Sequence, residues 1–285
     1  MGRDSAIRIP HSAMKIQAIV FPFDQFGSAG TGAGAELLGD ALHEMLADAK
    51  RETRPARSDA FRDRVRVREF TFDTPAACAD WRKTARQAVR SALKTGDGVV
   101  WLAGNHLAVL PAYEELGADA LVLQLDAHLD VYNLADCTEE LSHGNFLLHA
   151  DGPLPAIVNI GSRDLFLPAE HWRKHYREVL SAEQVAGDAD GVVKRVAELT
   201  RKAKRLWIDI DCDVFDPAFF PAVQHPQPMG LSPALVLRLL AAVWSERVVG
   251  VSLSEFEPGR DRNDQSLGTL VWLIEWCLLR WAQPR

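Results

Sequence analysis

Two short stretches of this sequence place acidic side chains and a histidine at every second position. They are Asp126, His128 and Asp130 in QLDAHLD, and Asp209, Asp211 and Asp213 in LWIDIDCDVFDP. On an extended strand, residues two apart point to the same side, so each stretch aims its side chains at one place. Carboxylates and imidazole suit divalent cations such as manganese, and bridging carboxylates suit two of them. Carboxylates this close repel one another unless cations neutralise them, so the pattern predicts a dinuclear metal enzyme.

The composition favours a globular protein that acts on a small molecule. The 285 residues carry a net charge of −7, and 47% of them are hydrophobic, which is enough for a sizeable core. Nucleic-acid phosphates need a basic surface, which this acidic composition does not favour. No apolar run reaches the length of a membrane span. We therefore expect no nucleic-acid partner, no membrane partner, and a small substrate of neutral or cationic character.

The cysteines and the first residues predict the cellular compartment. Cys78, Cys137, Cys212 and Cys277 form no CxxC pair and show no disulfide-framework spacing. Free thiols are typical of reduced, intracellular proteins. The first stretch, MGRDSAIRIPHSA, lacks the apolar core of a signal peptide. We expect a cytoplasmic protein.

Short apolar runs alternate with amphipathic segments along the chain. The runs predicted as strands are 16–23, 67–72, 98–104, 120–126, 156–162, 205–211 and 248–255. The segments predicted as helices are 34–51, 77–95, 108–117, 168–180, 189–203, 232–246 and 267–282. Nearly continuous apolar strands separated by helices are typical of a parallel sheet covered on both faces. The sequence predicts one three-layer α/β/α domain over residues 1–285 with a mostly parallel central sheet, in which 1–13 is flexible and 50–66 is a loop or short helix.

The residues with chemical potential follow these predicted strands. His106 comes just after the third run, the two acidic rows lie at the ends of the fourth and sixth, and Glu255 ends the seventh. In open parallel sheets, ligands bind at the carboxyl ends of the strands. Apolar residues alone define these predicted strands, so the convergence of the acidic residues at their ends is independent support for one site.

Six motifs follow one another through most of the chain. They are AGNH at 103–106, DAHLD at 126–130, SHG at 142–144, GSRD at 161–164, the block from DCDVFDP to GLS at 211–232, and SLSEFEP at 252–258. Their order and spacing resemble the ureohydrolase superfamily of arginases, agmatinases and formiminoglutamases. Each motif alone is weak, but the set is specific. The resemblance implies an arginase-like fold and hydrolysis of a C–N bond in a linear guanidino or formimino compound, with release of urea or formamide.

The same resemblance implies a cofactor of two Mn²⁺ ions and their ligands. The first ion would bind to His106, Asp126, Asp130 and Asp211, and the second to His128, Asp126, Asp211 and Asp213. Asp126 and Asp211 would then bridge the two ions. Two cations about 3.5–4 Å apart can hold a hydroxide at neutral pH, which is a strong nucleophile for a planar amidine carbon.

Two further residues receive catalytic roles by resemblance. His143 would pass a proton to the leaving amine, for which the pKa of imidazole is suited. Glu255 would pair with the guanidinium of the substrate, a geometry that a carboxylate favours. Asp209 stands two residues before Asp211, where relatives carry a small residue, and we expect it to be hydrogen-bonded rather than a ligand.

The residues expected around the substrate depart from the family pattern. Where arginase has an aspartate that binds the amino group of its substrate, this sequence has Phe166. We therefore expect an agmatine-like compound or a guanidino acid rather than free arginine. His225 and Gln224 replace residues of a Gly-Thr loop and would face the substrate, and Asn133 is a further candidate contact.

Other interpretations of the same residues remain open. A deacetylase-like enzyme that acts on an acylated amine, or a non-catalytic member that retains its metals, would share much of this pattern. Gly30, Gly32 and Ala35 imitate a nucleotide-binding turn, but close packing of the turn against a helix explains them better. The tryptophan-rich end of the chain predicts a packed helix, and the resemblance implies a homo-oligomer, a trimer or a hexamer.

Overall fold

A single sheet of eight parallel strands forms the centre of the described protein. The computed structural model describes residues 14–54, 56–133 and 139–282, so the expectation for 1–13 lies outside the described residues. The strands are β1 Ile16–Phe21, β2 Val65–Glu69, β3 Gly98–Ala103, β4 Ala120–Leu125, β5 Ala156–Ile160, β6 Glu178–Leu180, β7 Arg205–Asp211 and β8 Val248–Ser254. Their order in the sheet is β2-β1-β3-β8-β7-β4-β5-β6, and every pairing is parallel.

Helices cover both faces of this sheet. They are α1 Thr31–Arg51, α2 Pro75–Ala79, α3 Trp81–Thr95, α4 Leu110–Leu116, α5 Ala169–Trp172, α6 Ala182–Gly187, α7 Ala189–Thr200, α8 Pro233–Val243 and α9 Gln265–Ala282. Buried residues of α1, α7, α8 and α9 pack on one face, and those of α3 and α4 pack on the other. The predicted three-layer α/β/α fold is confirmed. Within the described ranges, each helix is too short or too polar to cross a bilayer.

The alternation of side chains along a strand explains why both faces need a helix layer. Ile16, Ala18 and Val20 of β1 belong to the core on one face, while Ile19 and Phe21 belong to the core on the other. Neighbouring side chains of a strand point to opposite faces, so a strand that is apolar throughout is buried on both. Burial on both faces also explains why these strands are continuous apolar runs in the sequence, with no alternation of apolar and polar residues.

Two of the predicted helices differ in the structure. The predicted helix 168–180 is instead the single turn α5 followed by β6, a three-residue edge strand that pairs with β5. Three residues are too few to show a period of two, so a pattern cannot detect this strand. The predicted helix 77–95 is divided at Asp80 into α2 and α3. Segment 50–66 contains a short 3₁₀ turn at Arg57–Ala60 and the first residues of β2.

The four central strands, β3, β8, β7 and β4, end at the same edge of the sheet. The residues that follow or end these strands are His106, Glu255, Asp211 and Asp126. Parallel strands bring their carboxyl ends together, so segments far apart in sequence meet there.

Helix α1 packs very closely against the loop that follows β8. A Cβ atom on Gly34 would lie 1.9 Å from the carbonyl oxygen of Phe256, the residue after Glu255. Backbone atoms cannot move away as a side-chain end can, so this position of α1 requires glycine. The contact fixes the loop next to Glu255.

We predict that Gly34→Ala lowers the free energy of unfolding by at least about 2 kcal/mol, because overpacking against backbone forces the helix away from the loop. Gly268→Ala is the matched control, since Gly268 in α9 has no atom within 4 Å of a built Cβ. The control should stabilise by up to about 1 kcal/mol through helix propensity. Urea unfolding of both variants measures the difference. Equal stability of the two would show that the close approach has no energetic consequence.

Candidate metal centre

His106 is surrounded by carboxylates at the edge of the sheet. Its Nδ1 atom lies 2.7 Å from Asp130 Oδ2, 3.0 Å from Asp211 Oδ2 and 3.4 Å from Asp126 Oδ2. Only 1% of the His106 side chain is exposed. Three oxygens and one nitrogen therefore face a common point in a buried space.

A second cluster lies beside the first and shares one residue with it. His128 Nδ1 lies 2.8 Å from Asp213 Oδ2 and 3.9 Å from Asp126 Oδ1. Asp126 thus turns one carboxylate oxygen toward each histidine, Oδ2 toward His106 and Oδ1 toward His128. Two groups have the proximity needed to hold an ion, namely His106, Asp126 and Asp130, and Asp126, His128 and Asp213.

The residues of the first cluster fit a cation better than they fit one another. His106 Nδ1, Asp126 Oδ2 and Asp130 Oδ2 are fully buried, yet none of these described atoms makes a hydrogen bond, because the 2.7 Å contact between Nδ1 and Asp130 Oδ2 lacks hydrogen-bond geometry. Buried polar atoms without a partner are costly and rare in folded proteins. A divalent cation would satisfy all three, and this mixture of oxygen and imidazole nitrogen suits Mn²⁺.

The pKa values of the clustered groups also indicate that this site favours a bound cation. Burial and the charge of Asp130 raise the pKa of Asp126 to about 8. Burial and the charge of Asp213 also raise the pKa of Asp211 well above its usual value. Burial lowers the pKa of His128, but the charge and hydrogen bond of Asp213 outweigh burial and raise it to about 11. These shifts favour proton retention without a cation, and a bound cation would displace protons.

Backbone contacts hold the loop of the DAHLD motif in place. Asp130 has a φ of 35°, a left-handed conformation that turns its side chain back to the cluster. The Tyr176 hydroxyl donates to the Leu129 carbonyl at 2.6 Å, and the Asn159 amide donates to the His128 carbonyl at 3.1 Å. The Ala127 N–H donates to Asp213 Oδ1, which joins this loop to the end of β7.

Asp209 lies on the other side of the His106 ring and is fully buried. Its Oδ2 atom is 2.6 Å from His106 Nε2 and accepts a hydrogen bond from the Tyr113 hydroxyl at 2.5 Å. The Ser252 hydroxyl donates to its other oxygen. Asp209 is therefore hydrogen-bonded behind the cluster and faces away from the point that the other carboxylates share.

His143 and Glu255 form a pair beside the metal ligands. His143 Nδ1 lies 3.2 Å from Glu255 Oε1, which also accepts the backbone N–H of His106 at 2.8 Å. Burial lowers the pKa of His143, but its hydrogen bond to Glu255 and the charge of Glu255 outweigh burial and raise it. A Cβ on Gly27 would lie 2.5 Å from His143 Cδ2, so glycine at 27 leaves space for this ring.

A cavity of about 780 Å³ opens above the two clusters. Its floor contains four predicted ligands, His128, Asp130, Asp211 and Asp213, and its walls include Phe26, Tyr132, Ser142, His143, Gln224, His225 and Gln227. The His225 ring lies 5.6 Å from that of His143. Such a pocket can hold a small molecule over the carboxylates.

Not every sequence-predicted residue reaches this cavity. Asn133 is exposed, and neither it nor Phe166 is among the described residues that line the cavity. Phe166 is 64% exposed. Glu255 is buried behind His143 and contributes through its carboxylate contacts.

Two residues that sequence reasoning did not single out support the floor of the cavity. The Arg163 guanidinium donates to the carbonyls of Asp213 at 2.6 Å and Gln227 at 3.2 Å. The side-chain amide of Gln227 lies 2.8 Å from His128 Nε2. The GSRD motif contains Arg163, but its carbonyl partners lie on loops that the sequence pattern does not bring together.

The structure explains the glycine-rich turn by packing. The carboxylate of Asp24 accepts the backbone N–H groups of Gly30 and Gly32, the donors that a phosphate would need. A Cβ on Gly32 would lie 2.7 Å from the Pro22 carbonyl oxygen. Cys212, likewise, is fully buried among apolar side chains, and burial raises the pKa of its thiol.

Comparison with known proteins identifies similar sequences and folds. The Arginase family model matches residues 14–279. Mitochondrial arginase 1 of Arabidopsis thaliana is 33% identical over 57% of this chain, and this match spans 48% of that relative, about half its length. N(omega)-hydroxy-L-arginine amidinohydrolase of Streptomyces lavendulae is 29% identical over 66% of this chain and 72% of the relative. The agmatine ureohydrolase structure of Thermoplasma volcanium has the same fold, with a TM-score of 0.75 at 22% identity over 94% of this chain and 90% of that one.

We predict that Asp126→Asn raises the melting temperature of the chelator-treated protein at pH 8 by a few degrees. The unfolded chain ionises Asp126 near the ordinary aspartate pKa of 3.8, whereas the folded chain retains this proton up to about pH 8. The metal-free fold therefore loses stability as the pH rises toward 8, and an amide removes this loss. The same variant should lose most of the increase in melting temperature that Mn²⁺ gives the wild type.

Asp40→Asn, an exposed substitution on α1, is the control and should change neither measurement. The interpretation of Asp126 as a shared ligand is contradicted if Asp126→Asn melts earlier without metal and is still stabilised by Mn²⁺ as strongly as the wild type.

Proposed function

This chain belongs to the arginase family, and we propose that it hydrolyses a C–N bond of a linear guanidino or formimino compound with two bound Mn²⁺ ions. The observation that carries the proposal is the position of Asp126, which turns one oxygen to each of two histidine-containing clusters at the floor of a cavity. One shared carboxylate between two cation sites is the arrangement that a dinuclear hydrolase needs.

The proposed ligand sets are those that the family resemblance implies, and the two clusters support them in part. His106, Asp126, Asp130 and Asp211 would hold one ion, and His128, Asp126, Asp211 and Asp213 the other. The orphaned buried atoms of the first cluster and the short contact of His128 with Asp213 support these sets. When bound, the two ions would supply a water activated for attack on the amidine carbon.

His143 would donate a proton to the leaving amine. Its ring lines the cavity, and the raised pKa that Glu255 gives it favours the protonated form that can donate. Glu255 holds this ring at 3.2 Å and would also attract the cationic end of the substrate. Burial of Glu255 strengthens its attraction to His143 and to a cationic substrate, because charges attract each other more strongly at a low dielectric constant than in water.

The walls of the cavity would bind the rest of the substrate. His225 lines the cavity opposite His143, and the Phe26 and Tyr132 rings provide apolar surface for an alkyl chain. Asn133 remains a proposed contact at the exposed rim. Phe166 has the sequence position of the arginase aspartate but is exposed and outside the described lining of the cavity, so this position supplies no carboxylate for an amino group. We therefore propose an agmatine-like compound or a guanidino acid as substrate. The homo-oligomeric state and the cytoplasmic location remain predictions.

The two alternative functions lack a specific supporting observation. A deacetylase-like centre would need one zinc ion and fewer aspartates, whereas His128, Asp126 and Asp213 form a second candidate site here. A non-catalytic member would have no need for the pairing of His143 with Glu255 above the metal ligands. Measured stoichiometry and turnover separate the three possibilities.

We predict that the Mn²⁺-loaded protein releases urea or formamide from at least one member of a panel that contains agmatine, guanidino acids, formimino compounds and arginine. Arginine should be the poorer substrate because position 166 supplies no carboxylate that could bind its amino group. His143→Asn should lower kcat by about 10²–10⁴-fold on the active compound, since a general acid contributes about this much. Two Mn²⁺ per chain should still bind to this variant.

His43→Asn is the matched control, because His43 is an exposed histidine of α1 whose partner is Glu69 on the surface. It should leave kcat unchanged. Absence of urea, formamide and ammonia from every compound, in protein with two Mn²⁺ bound, would refute the proposed activity. Full activity of His143→Asn would refute only the role of His143.

A further inference from the structure

Asp209 is a buried carboxylate that the proposed ligand sets do not use. It lies on β7 two residues before Asp211 and is 0% exposed. Burying a carboxylate is costly unless hydrogen bonds satisfy its oxygens. A carboxylate at such a buried position therefore needs hydrogen-bond donors close to both of its oxygens.

The partners of Asp209 come from three other elements. His106 Nε2 lies 2.6 Å from Oδ2, the Tyr113 hydroxyl of α4 donates to the same oxygen, and the Ser252 hydroxyl of β8 donates to Oδ1. Trp207 Nε1 in turn donates to the Ser252 oxygen at 2.8 Å, which orients the Ser252 hydroxyl toward Asp209. These contacts engage both oxygens of the carboxylate, and Asp209 is not among the described residues that line the cavity.

The position of Asp209, 2.6 Å from Nε2, favours one of the two tautomers of the neutral His106 ring. A neutral imidazole has one N–H group, and Nε2 faces the Asp209 carboxylate while Nδ1 faces Asp126, Asp130 and Asp211. When Nε2–H donates to Asp209, Nδ1 presents its lone pair to the point that the three carboxylates share. This is the tautomer that can bind a cation, and a carboxylate partner also makes the ring a stronger ligand.

We infer that Asp209 is a positioning residue that fixes the tautomer and ring orientation of His106 and so strengthens metal binding at the His106 site. The inference rests on the proposed metal centre and extends it to a residue outside the ligand sets. It concerns one of the two sites only. The far nitrogen of His128 faces the neutral amide of Gln227, and His128 is 18% exposed.

A purely structural role for Asp209 would leave a different signature. The same hydrogen bonds tie α4 and β8 to β7, so removal of Asp209 is expected to lower the melting temperature in any case. An effect of Asp209 on metal binding must act through His106, whereas the loss of stability that follows from removing its hydrogen bonds to α4 and β8 needs no contribution from His106. A double-mutant cycle between Asp209 and His106 separates the two effects.

The experiment is a calorimetric titration of chelator-treated full chain with Mn²⁺ alone. Asp209→Ser should weaken one of the two Mn²⁺ sites by about 10–100-fold, the usual effect of losing a residue that orients a ligand. Asp209→Asn retains the volume and a carbonyl that can accept Nε2–H, so its loss should be smaller. In a His106→Ala background, Asp209→Ser should cause no further weakening.

A matched control replaces another buried polar residue at the same level of the sheet, so that a general loss of stability can be separated from an effect on metal binding. Gln124 on β4 is the register partner of Asp209, is fully buried, and accepts its hydrogen bond from Asn159 rather than from His106. Gln124→Met should lower the melting temperature without weakening the site that Asp209→Ser weakens. Circular dichroism before titration shows whether each variant is folded, and Asp209→Asn is the fallback if Asp209→Ser is not.

The outcomes separate this inference from the proposed function. Wild-type protein that binds no Mn²⁺ would remove the metal centre and the inference together. Wild-type protein that binds two ions, with unchanged binding in both Asp209 variants, would overturn the inference alone. Equal weakening by Asp209→Ser with and without His106 would also overturn it, because Asp209 would then not act through that ring.

Discussion

Mutual repulsion among carboxylates at one edge of the sheet is the constraint on which this structure depends. Asp126, Asp130, Asp211 and Asp213 are all nearly or fully buried, and their oxygens converge on two histidines. In a buried space of low dielectric, such charges interact far more strongly than in water. The polypeptide must hold them together against this repulsion, and cations would remove most of it. The rigid sheet below the site provides the necessary restraint.

The restraint comes from the order of the strands rather than from any single contact. The strands β3, β8, β7 and β4 are adjacent, and their apolar residues fix each strand against two helix layers until the last residue. The register of β4 with β7 places Gln124 beside Asp209, so the acidic rows that follow are also level. A shift by one residue would turn every candidate ligand to the opposite face and would force both closely packed cores to repack, which costs free energy.

The parts of the fold that the sequence predicts are those with a regular period. Alternation at 126–130 and 209–213 identified the two acidic rows of the candidate site, and the apolar runs identified every strand except the three-residue β6. The supports of the site have no period. Tyr113 reaches Asp209 from a helix 96 positions away in sequence, and the Arg163 donors reach carbonyls on two separate loops. Such contacts depend on which helices, strands and loops pack against one another, and the sequence pattern alone does not show this packing.

The floor and the rim of the cavity are built by different means, and this difference explains why the chemistry is easier to infer than the substrate. The floor consists of strand ends whose positions the whole core determines. The rim consists of loops, such as that of His225, which are held by a few local hydrogen bonds, including one from the Gln224 amide to the Ala29 carbonyl. A substitution in the rim changes the shape and polarity of the pocket without moving a ligand. We therefore expect His225, which lines the cavity, to alter what can bind, while the acidic rows keep the chemistry that we propose.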